Sequence, residues 1–239
     1  MMFDHIRFVL VETSLPANIG SAARAMKTMG LHALHLVAPK TLPDDSATAL
    51  AAGADDLLEQ APIHPDLSSA IADCTLVIGM SARARRLDWP QLNLDEMAAL
   101  LLRTDAKVAI LFGSERSGLT NPQLQACHYH VHIPSDPSFS SLNLAAAVQI
   151  VAFVLRDHAL KIGVTPKISN QASKVTQQDM EALLDHFQTT LTAIQVINPQ
   201  HPRDTLARLQ RLLLRAQLDP AEIGLLHSIL QAVDKLGML

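Results

Sequence analysis

Short runs of consecutive apolar residues alternate with helical patterns along the first two thirds of the chain. Five of these runs predict strands: Arg7–Val11, Ala33–Val37, Leu76–Met80, Lys107–Phe112 and Tyr129–Ile133. The other segments predict helices at Ile19–Met29, Ser46–Ala52, Leu67–Ala72, Leu94–Leu102, Pro122–Ala126 and Asn143–Lys161. Because strands that are apolar on both faces belong to covered sheets, we predict an α/β fold, a parallel sheet with helices on both faces.

The pattern changes at Gly163–Lys174, a segment whose glycine, proline, serine and asparagine residues are typical of a linker. The remaining residues predict only helices, near Gln177–Ile194, Pro202–Ala216 and Pro220–Lys235. We therefore expect a first domain over residues 1–162, a linker over 163–175 and a small all-helical C-terminal extension over 176–239. The helix at Asn143–Lys161 is apolar on nearly every side, so it requires cover from its own domain or from a second subunit.

Composition narrows the function classes. Of the 239 residues 49% are hydrophobic and 18% are charged, which excludes a disordered chain, and the formal net charge of −4 excludes binding driven by bulk positive charge. The two cysteines, Cys74 and Cys127, lack the spacing of a zinc ribbon or a disulfide framework. No signal-peptide pattern and no membrane span is expected, so we predict a soluble, cytoplasmic protein.

Four polar segments follow predicted strands. They are Asn18–Arg24, with Asn18 as the expected helix cap, the glycine-flanked turn Gly113–Gly118, the arginine-containing loop Ser81–Arg86 and the segment Ser140–Ala145. Ordinary caps and turns explain each segment when it is taken alone. In a parallel α/β sheet, however, ligands bind beyond the carboxyl ends of the strands. The shared position of the four segments therefore favours one common site.

Several other sites are not supported by the sequence. It contains no G-x-G-x-x-G fingerprint, no phosphate-binding P-loop and no G-x-S-x-G elbow. His128, His130 and His132 would share one face of a strand, but no nearby carboxylate or cysteine completes a metal site, so no metal is expected.

Three motifs together resemble those of the SPOUT RNA methyltransferases: Asn18-x-Gly20-x-x-x-Arg24, Phe112-Gly113-x-Glu115-x-x-Gly118-Leu119 and Ser141-Leu142-Asn143-Leu144. The segments from Val11 to Ser14 and from Ala23 to Lys27, with the loop Gly79-x-Ser81-Ala82-Arg83, are similar to those of the TrmJ-type tRNA 2′-O-methyltransferases. The resemblance extends from residue 5 to about residue 160. It implies a trefoil-knotted domain that binds S-adenosylmethionine and acts on tRNA as a homodimer, with the active site near the subunit interface.

The resemblance also implies roles for individual residues. The cofactor-binding positions are Met80, Ser81, Ala82, Gly113, Glu115, Ile133, Ser140, Ser141 and Leu142. The catalytic positions are Arg24, Asn18, Ser141 and Asn143. The RNA-binding positions are Arg24, Arg83, Arg85, Arg86 and Arg116. Arginine suits phosphate contacts because its guanidinium donates two parallel hydrogen bonds.

The expected reaction is methylation of the ribose 2′-oxygen of a pyrimidine, cytidine or uridine, at position 32 in the tRNA anticodon loop. Three alternatives stay open at this point. One is 2′-O-methylation of ribosomal RNA, since the motifs define the chemistry better than the substrate. The second is a non-catalytic RNA-binding protein of the same fold. The third, a small-molecule α/β enzyme, lacks a nucleophile–base pair or a cofactor fingerprint in the sequence.

Overall fold

A computed structural model describes residues 3–81, 89–163, 175–198 and 205–237. The chain divides into two compact units, Met1–Ser169 and Asn170–Leu239. Among the residues described, none of the helices combines the length and apolar character that crossing a bilayer requires.

The first unit is built on a seven-stranded sheet in which every described pairing is parallel. Its strands are β1 (Ile6–Val11), β2 (Ala33–Val37), β3 (Ile63–His64), β4 (Leu76–Met80), β5 (Gln91–Leu92), β6 (Val108–Phe112) and β7 (Tyr129–Val131). Their order across the sheet is β3-β2-β1-β6-β4-β7-β5. All five predicted strands are confirmed, although β7 ends before Ile133. The two that sequence reasoning missed, β3 and β5, are two-residue edge strands, too short to show an apolar pattern.

Seven helices are described in this unit: α1 (Pro16–Thr28), α2 (Asp45–Ala51), α3 (Asp55–Glu59), α4 (Leu67–Ile71), α5 (Leu94–Arg103), α6 (Asn121–Gln125) and α7 (Leu144–Ile162). Six of them match predicted helices, and only the short α3 was not predicted. The expectation that Asn18 caps α1 is wrong. The helix begins earlier, with Leu15 at the N-cap and Pro16 in the first turn, where the proline ring already has a helical φ angle.

The core lies on both faces of the sheet, as predicted. Along β1, Phe8 and Leu10 point into a large cluster that includes residues of α1, α5 and α7, whereas Val9 and Val11 point into a smaller cluster with residues of α4 and α6. The Phe8 and Phe112 rings lie 5.3 Å apart between their centroids and join the neighbouring strands β1 and β6. This alternation is the two-residue period of a strand buried on both sides.

Among the described residues of its unit, none covers one side of α7. Val148, Val151 and Leu155 are fully buried in the larger cluster, but Phe153 is 55% exposed and Leu160 is 64% exposed. The predicted need of this helix for cover is therefore met on one face by the residues that the structure describes.

The second unit is helical in its described residues, with α8 (Gln177–Ala193), α9 (Thr205–Ala216) and α10 (Pro220–Gly237). Thr176 and Asp179 form a capping box at the start of α8. Asp219 and Glu222 exchange the same pair of hydrogen bonds at the start of α10, each 2.8 Å long. The predicted start of α9 at Pro202 lies outside the described residues.

Gly20 provides a test of how α1 packs. A Cβ atom at this position would overlap the backbone carbonyl of Ala47 in α2, and backbone cannot move aside as a flexible side chain does. We expect Gly20→Ala to lower the free energy of unfolding by about 2 kcal/mol or more, as overpacking does, in urea denaturation. Gly224→Ala in α10 is the control, because its methyl group would meet no atom within 4 Å. An equal effect of the two substitutions would contradict the close α1–α2 packing.

Candidate functional site

A cleft of about 180 Å³ opens at the carboxyl edge of the sheet. Three segments supply its walls: the end of β4, the loop after β6, and the loop that leads from β7 into α7. The lining residues are Met80, Ser81, Phe112, Gly113, Ser114, Glu115, Arg116, Ser117, Gly118, Leu119, Ile133, Ser140, Ser141, Leu142, Leu144 and Ala147.

The loop after β6 folds back on itself. Ser114 and Gly118 form an isolated antiparallel bridge, and the Gly118 N–H donates to the Ser114 carbonyl at 2.8 Å. Gly118 has a φ angle of +65°, which glycine adopts without strain. A Cβ atom on Gly113 would overlap the backbone of Gly118 and Leu119. The two glycines therefore allow the loop to close and bring bare backbone to the cleft wall.

The loop before α7 forms the opposite wall. Ser140, Ser141 and Leu142 line the cleft, and the exposed ring of Phe139 precedes them. Asn143 then caps α7, since its Oδ1 accepts hydrogen bonds from the N–H groups of Ala145 and Ala146 at 2.9 and 3.2 Å. The cleft-lining serines thus stand directly before a capped helix, as the sequence predicted.

A set of hydrogen bonds centred on Glu115 joins these loops to the start of α1. One carboxylate oxygen of Glu115 accepts from the backbone N–H and the hydroxyl of Ser14, at 3.0 and 2.8 Å. The other oxygen accepts from the N–H of Leu15 at 3.2 Å and from Nδ2 of Asn18 at 2.9 Å. Oδ1 of Asn18 in turn accepts from Nδ2 of Asn143, also at 2.9 Å. The Asn18 and Asn143 amides are therefore engaged with protein groups at both ends.

These contacts determine the ionisation of Glu115. Partial burial by itself would raise the pKa of this carboxyl group. The hydrogen bonds from Asn18 and Ser14 outweigh that effect and lower the pKa to about 2. The carboxylate is accordingly charged at neutral pH.

The structure brings most of the predicted site residues together. Met80, Ser81, Gly113, Glu115, Ile133, Ser140, Ser141 and Leu142, all predicted to bind the cofactor, line the one cleft. Arg116, predicted to bind RNA, is exposed at the same cleft. Ala82, Arg83, Arg85 and Arg86 lie outside the described residues. Arg24 is exposed on α1 and is not among the described residues that line the cleft.

Some lining residues were not singled out from the sequence. Phe112 and Leu119 are the first and last positions of the motif after β6 but were given no role, and Ser114 and Ser117 lie between the positions that this motif marks. Leu144 and Ala147, in the first turn of α7, were likewise given no role, although Leu144 ends the third motif. Their spacing of three residues places them on one face of the helix beside the serines, which is the signal that could have identified them.

The three histidines around β7 make separate structural contacts. His128 accepts a hydrogen bond from the Val77 N–H, and its burial lowers its pKa to about 4. His130 stacks on Trp89 with ring centroids 5.7 Å apart. His132 lies 3.3 Å from the Ser81 carbonyl oxygen. Over the part of the chain that the structure describes, no cluster of three potential metal ligands occurs.

Family models match most of the chain. The SpoU rRNA methylase family matches residues 5–153, and the C-terminal domain of the tRNA methyltransferase TrmJ matches residues 178–238. Both the sheet unit and the helical unit are thus similar to known domains.

Individual relatives are similar over their full length. The tRNA (cytidine/uridine-2′-O-)-methyltransferase TrmJ of Pectobacterium atrosepticum is 44% identical, with 98% of each chain covered. The tRNA (cytidine/uridine/adenosine-2′-O-)-methyltransferase TrmJ of Pseudomonas aeruginosa is 43% identical, with 99% of this chain and 96% of the relative covered. The crystal structure of TrmJ from Z. mobilis superposes with a TM-score of 0.84 at 32% identity, covering 95% of this chain and 98% of the other.

The ionisation of Glu115 predicts how pH acts on stability. Because its folded-state pKa of about 2 lies below the ordinary value of 4.5, the Glu115 contacts stabilise the fold fully above about pH 5 and lose that effect as the pH falls toward 2. Urea unfolding of wild type and Glu115→Gln should therefore differ most near pH 6, with the difference shrinking at pH 3. A difference that stays constant between these two pH values would contradict the assignment.

Proposed function

The chain belongs to the SpoU rRNA methylase family and is related over its whole length to the TrmJ tRNA methyltransferases, and we propose that it methylates the ribose 2′-oxygen of tRNA with S-adenosylmethionine as the donor. The observation that carries this proposal is the convergence of the end of β4, the motif after β6 and the motif before α7 on one cleft at the carboxyl edge of a parallel sheet. A cleft in this position is where such sheets bind small ligands.

The residues of the cleft fit the methyl donor. Gly113 and Gly118 keep the wall free of side chains, while Met80, Ile133 and Leu142 offer apolar surface and Ser81, Ser140 and Ser141 offer hydroxyl groups. Apolar surface with hydroxyl groups beside it suits a flat nucleoside with hydrogen-bonding edges. When bound, S-adenosylmethionine supplies an electrophilic methyl group on a sulfonium centre. Ala82 is a further proposed contact.

Arg24 is proposed to act on the RNA by charge. A guanidinium donates five N–H groups and has no acceptor, so Arg24 cannot take the proton of the ribose hydroxyl, which passes to water as the oxygen–methyl bond forms and the sulfur–methyl bond breaks. It instead holds the neighbouring phosphate and stabilises the negative charge that develops on the 2′-oxygen. Ser141 is proposed to orient the ribose, and Arg116, with Arg83, Arg85 and Arg86, to contact the RNA backbone.

We propose a pyrimidine at position 32 of the anticodon loop as the target. The names of the P. atrosepticum and P. aeruginosa relatives include cytidine and uridine, and the second also includes adenosine.

We assign methyl transfer to residues 1–162, a linker to 163–175 and a role in tRNA binding to 176–239, where α9 carries Arg208, Arg211 and Arg215. Because tRNA is the proposed substrate, we propose that the protein acts in the cytoplasm.

A homodimer with active sites near its interface is also proposed. Phe153 and Leu160 lie on the uncovered side of α7, and large exposed apolar side chains of this kind mark contact surfaces. Arg24 is exposed and lies outside the cleft of its own chain, so in the proposed dimer it could contact the RNA at the interface.

The proposed reaction is tested with purified full-length protein, unmodified tRNA and donor carrying a labelled methyl group. Nucleoside mass spectrometry should show 2′-O-methylcytidine or 2′-O-methyluridine from the anticodon loop. Arg24→Ala should lower kcat by about 10²–10³, the loss typical of removing one charge-stabilising donor. Arg103→Ala, at the exposed end of α5, should have no effect. Product on ribosomal RNA alone supports the rRNA alternative, and RNA binding without product supports the non-catalytic one.

The placement of the donor predicts the effect of substitutions in the β6 loop. Because a methyl group at Gly113 overlaps backbone, Gly113→Ala should weaken the binding of S-adenosylhomocysteine at least tenfold, or about 1.4 kcal/mol, in isothermal titration calorimetry. Gly118→Ala in the same loop meets no atom within 4 Å and should show a smaller loss that reflects its φ angle alone. Unchanged affinity of Gly113→Ala would exclude this loop from the donor site.

The interface proposal is tested by light scattering at micromolar concentration. Wild type should have twice the chain mass of 25.9 kDa, and Phe153→Glu should have the mass of one chain, because a buried carboxylate opposes association. Leu42→Glu, at a residue that is 59% exposed on another surface, is the matched control and should leave the dimer intact. A monomeric wild type would refute the dimer.

A further inference from the structure

We propose that Glu115 is a positioning residue for the methyl transfer, which fixes the helix that carries Arg24 against the donor loop, and that it is not a ligand of the donor. The inference rests on the proposed function. It concerns what the Glu115 carboxylate does, whereas the resemblance alone assigned this residue to cofactor binding.

The first argument is that both oxygens of the Glu115 carboxylate already accept hydrogen bonds from protein groups. Both Glu115 oxygens already accept two hydrogen bonds each, from Ser14, Leu15 and Asn18, at distances of 2.8–3.2 Å. A carboxylate has about four lone-pair sites, so these four contacts use its accepting capacity. A donor hydroxyl group at the cleft would have to displace one of them.

The second argument is the start of α1. Its N-cap residue, Leu15, has no side-chain acceptor for the free N–H groups of the first turn. Glu115, about a hundred residues further along the chain, accepts instead from the N–H groups of Ser14 and of the N-cap residue Leu15, and its negative charge lies at the positive end of the helix dipole. The β6 loop therefore holds the two residues that lead into α1, next to the proline that begins the helix.

The third argument is that the hydrogen bonds form one continuous chain. From Glu115 the hydrogen bonds run through Asn18 to Asn143, whose other side-chain atom caps α7. The chain of contacts thus links the donor loop after β6, the start of α1 and the start of α7. Since α1 is a continuous helix from Pro16 to Thr28, a shift at its first turn also moves Arg24.

Glutamine is the informative replacement. Glu115→Gln keeps the size of the side chain but replaces one accepting oxygen with an NH₂ group. That group faces either the Ser14 donors or the Leu15 and Asn18 donors, so one pair of hydrogen bonds is lost whichever way the amide turns. Glu96→Gln is the matched control, because Glu96 also serves a helix start, that of α5, by accepting from the Asn93 N–H at 2.8 Å.

Three measurements on the full-length protein test the proposal. Glu115→Gln should lower kcat about a hundredfold at saturating tRNA and donor, as small misplacements do, while S-adenosylhomocysteine binds each chain with an affinity within about threefold of wild type. Hydrogen–deuterium exchange should rise in residues 14–24 and at the start of α7. Asn18→Ala should lower kcat in wild type but add little to Glu115→Gln, since the two residues act through one network. Glu96→Gln should change neither kcat nor exchange in these segments.

The outcomes separate this proposal from the proposed function. A loss of S-adenosylhomocysteine affinity greater than tenfold, with exchange in residues 14–24 unchanged, would make Glu115 a donor ligand and overturn the inference. An unchanged kcat in Glu115→Gln would overturn it as well. If wild type methylates no RNA, the proposed function fails, and a positioning role in catalysis is overturned with it.

Discussion

The hydrogen bonds around Glu115 hold together three segments that the sequence keeps far apart. Ser14 and Asn18 stand at the end of β1 and the start of α1, Glu115 follows β6, and Asn143 precedes α7. The sheet makes this meeting possible, because β1 and β6 are neighbours in parallel register and their carboxyl ends emerge side by side. A single charged side chain at this point holds the two residues that lead into α1.

The geometry of the cleft follows from the order of the strands. β6 lies between β1 and β4, so the Glu115 loop has the α1 side on one flank and the Met80–Ser81 turn on the other. Buried strands with apolar residues on both faces make this arrangement rigid, and the polar loops beyond their ends are free to bind ligands. Gly113 is required because the loop closes tightly against Gly118 and Leu119. The rigid core and the close approach of Gly113 to the backbone of Gly118 and Leu119 together give the wall of the cleft a fixed shape.

The family and the geometry explain different parts of the site. Membership of the SpoU methylase family accounts for the sheet, the cleft and the type of reaction, whereas the hydrogen bonds of Asn18 and Asn143 indicate what these two amides do. Both amides are occupied with protein partners, Asn18 with Glu115 and Asn143 with the first turn of α7. Their contribution to the reaction is therefore best understood through the position of α1, and Arg24 and Ser141 are the groups that we propose to contact the RNA.

The sequence by itself determined the α/β class, the five longer strands and the gathering of polar segments at one edge, because a period of two or 3.6 residues and the direction of parallel strands are local properties. It also located most of the cleft-lining residues, through motifs that follow β4 and β6 and precede α7. It misjudged Asn18, since a helix cap depends on where the helix begins, and Pro16 moves that point upstream. It could not show that Glu115 holds the residues that lead into α1, because the partners lie about a hundred residues apart and only the pairing of β1 with β6 brings them within hydrogen-bonding distance.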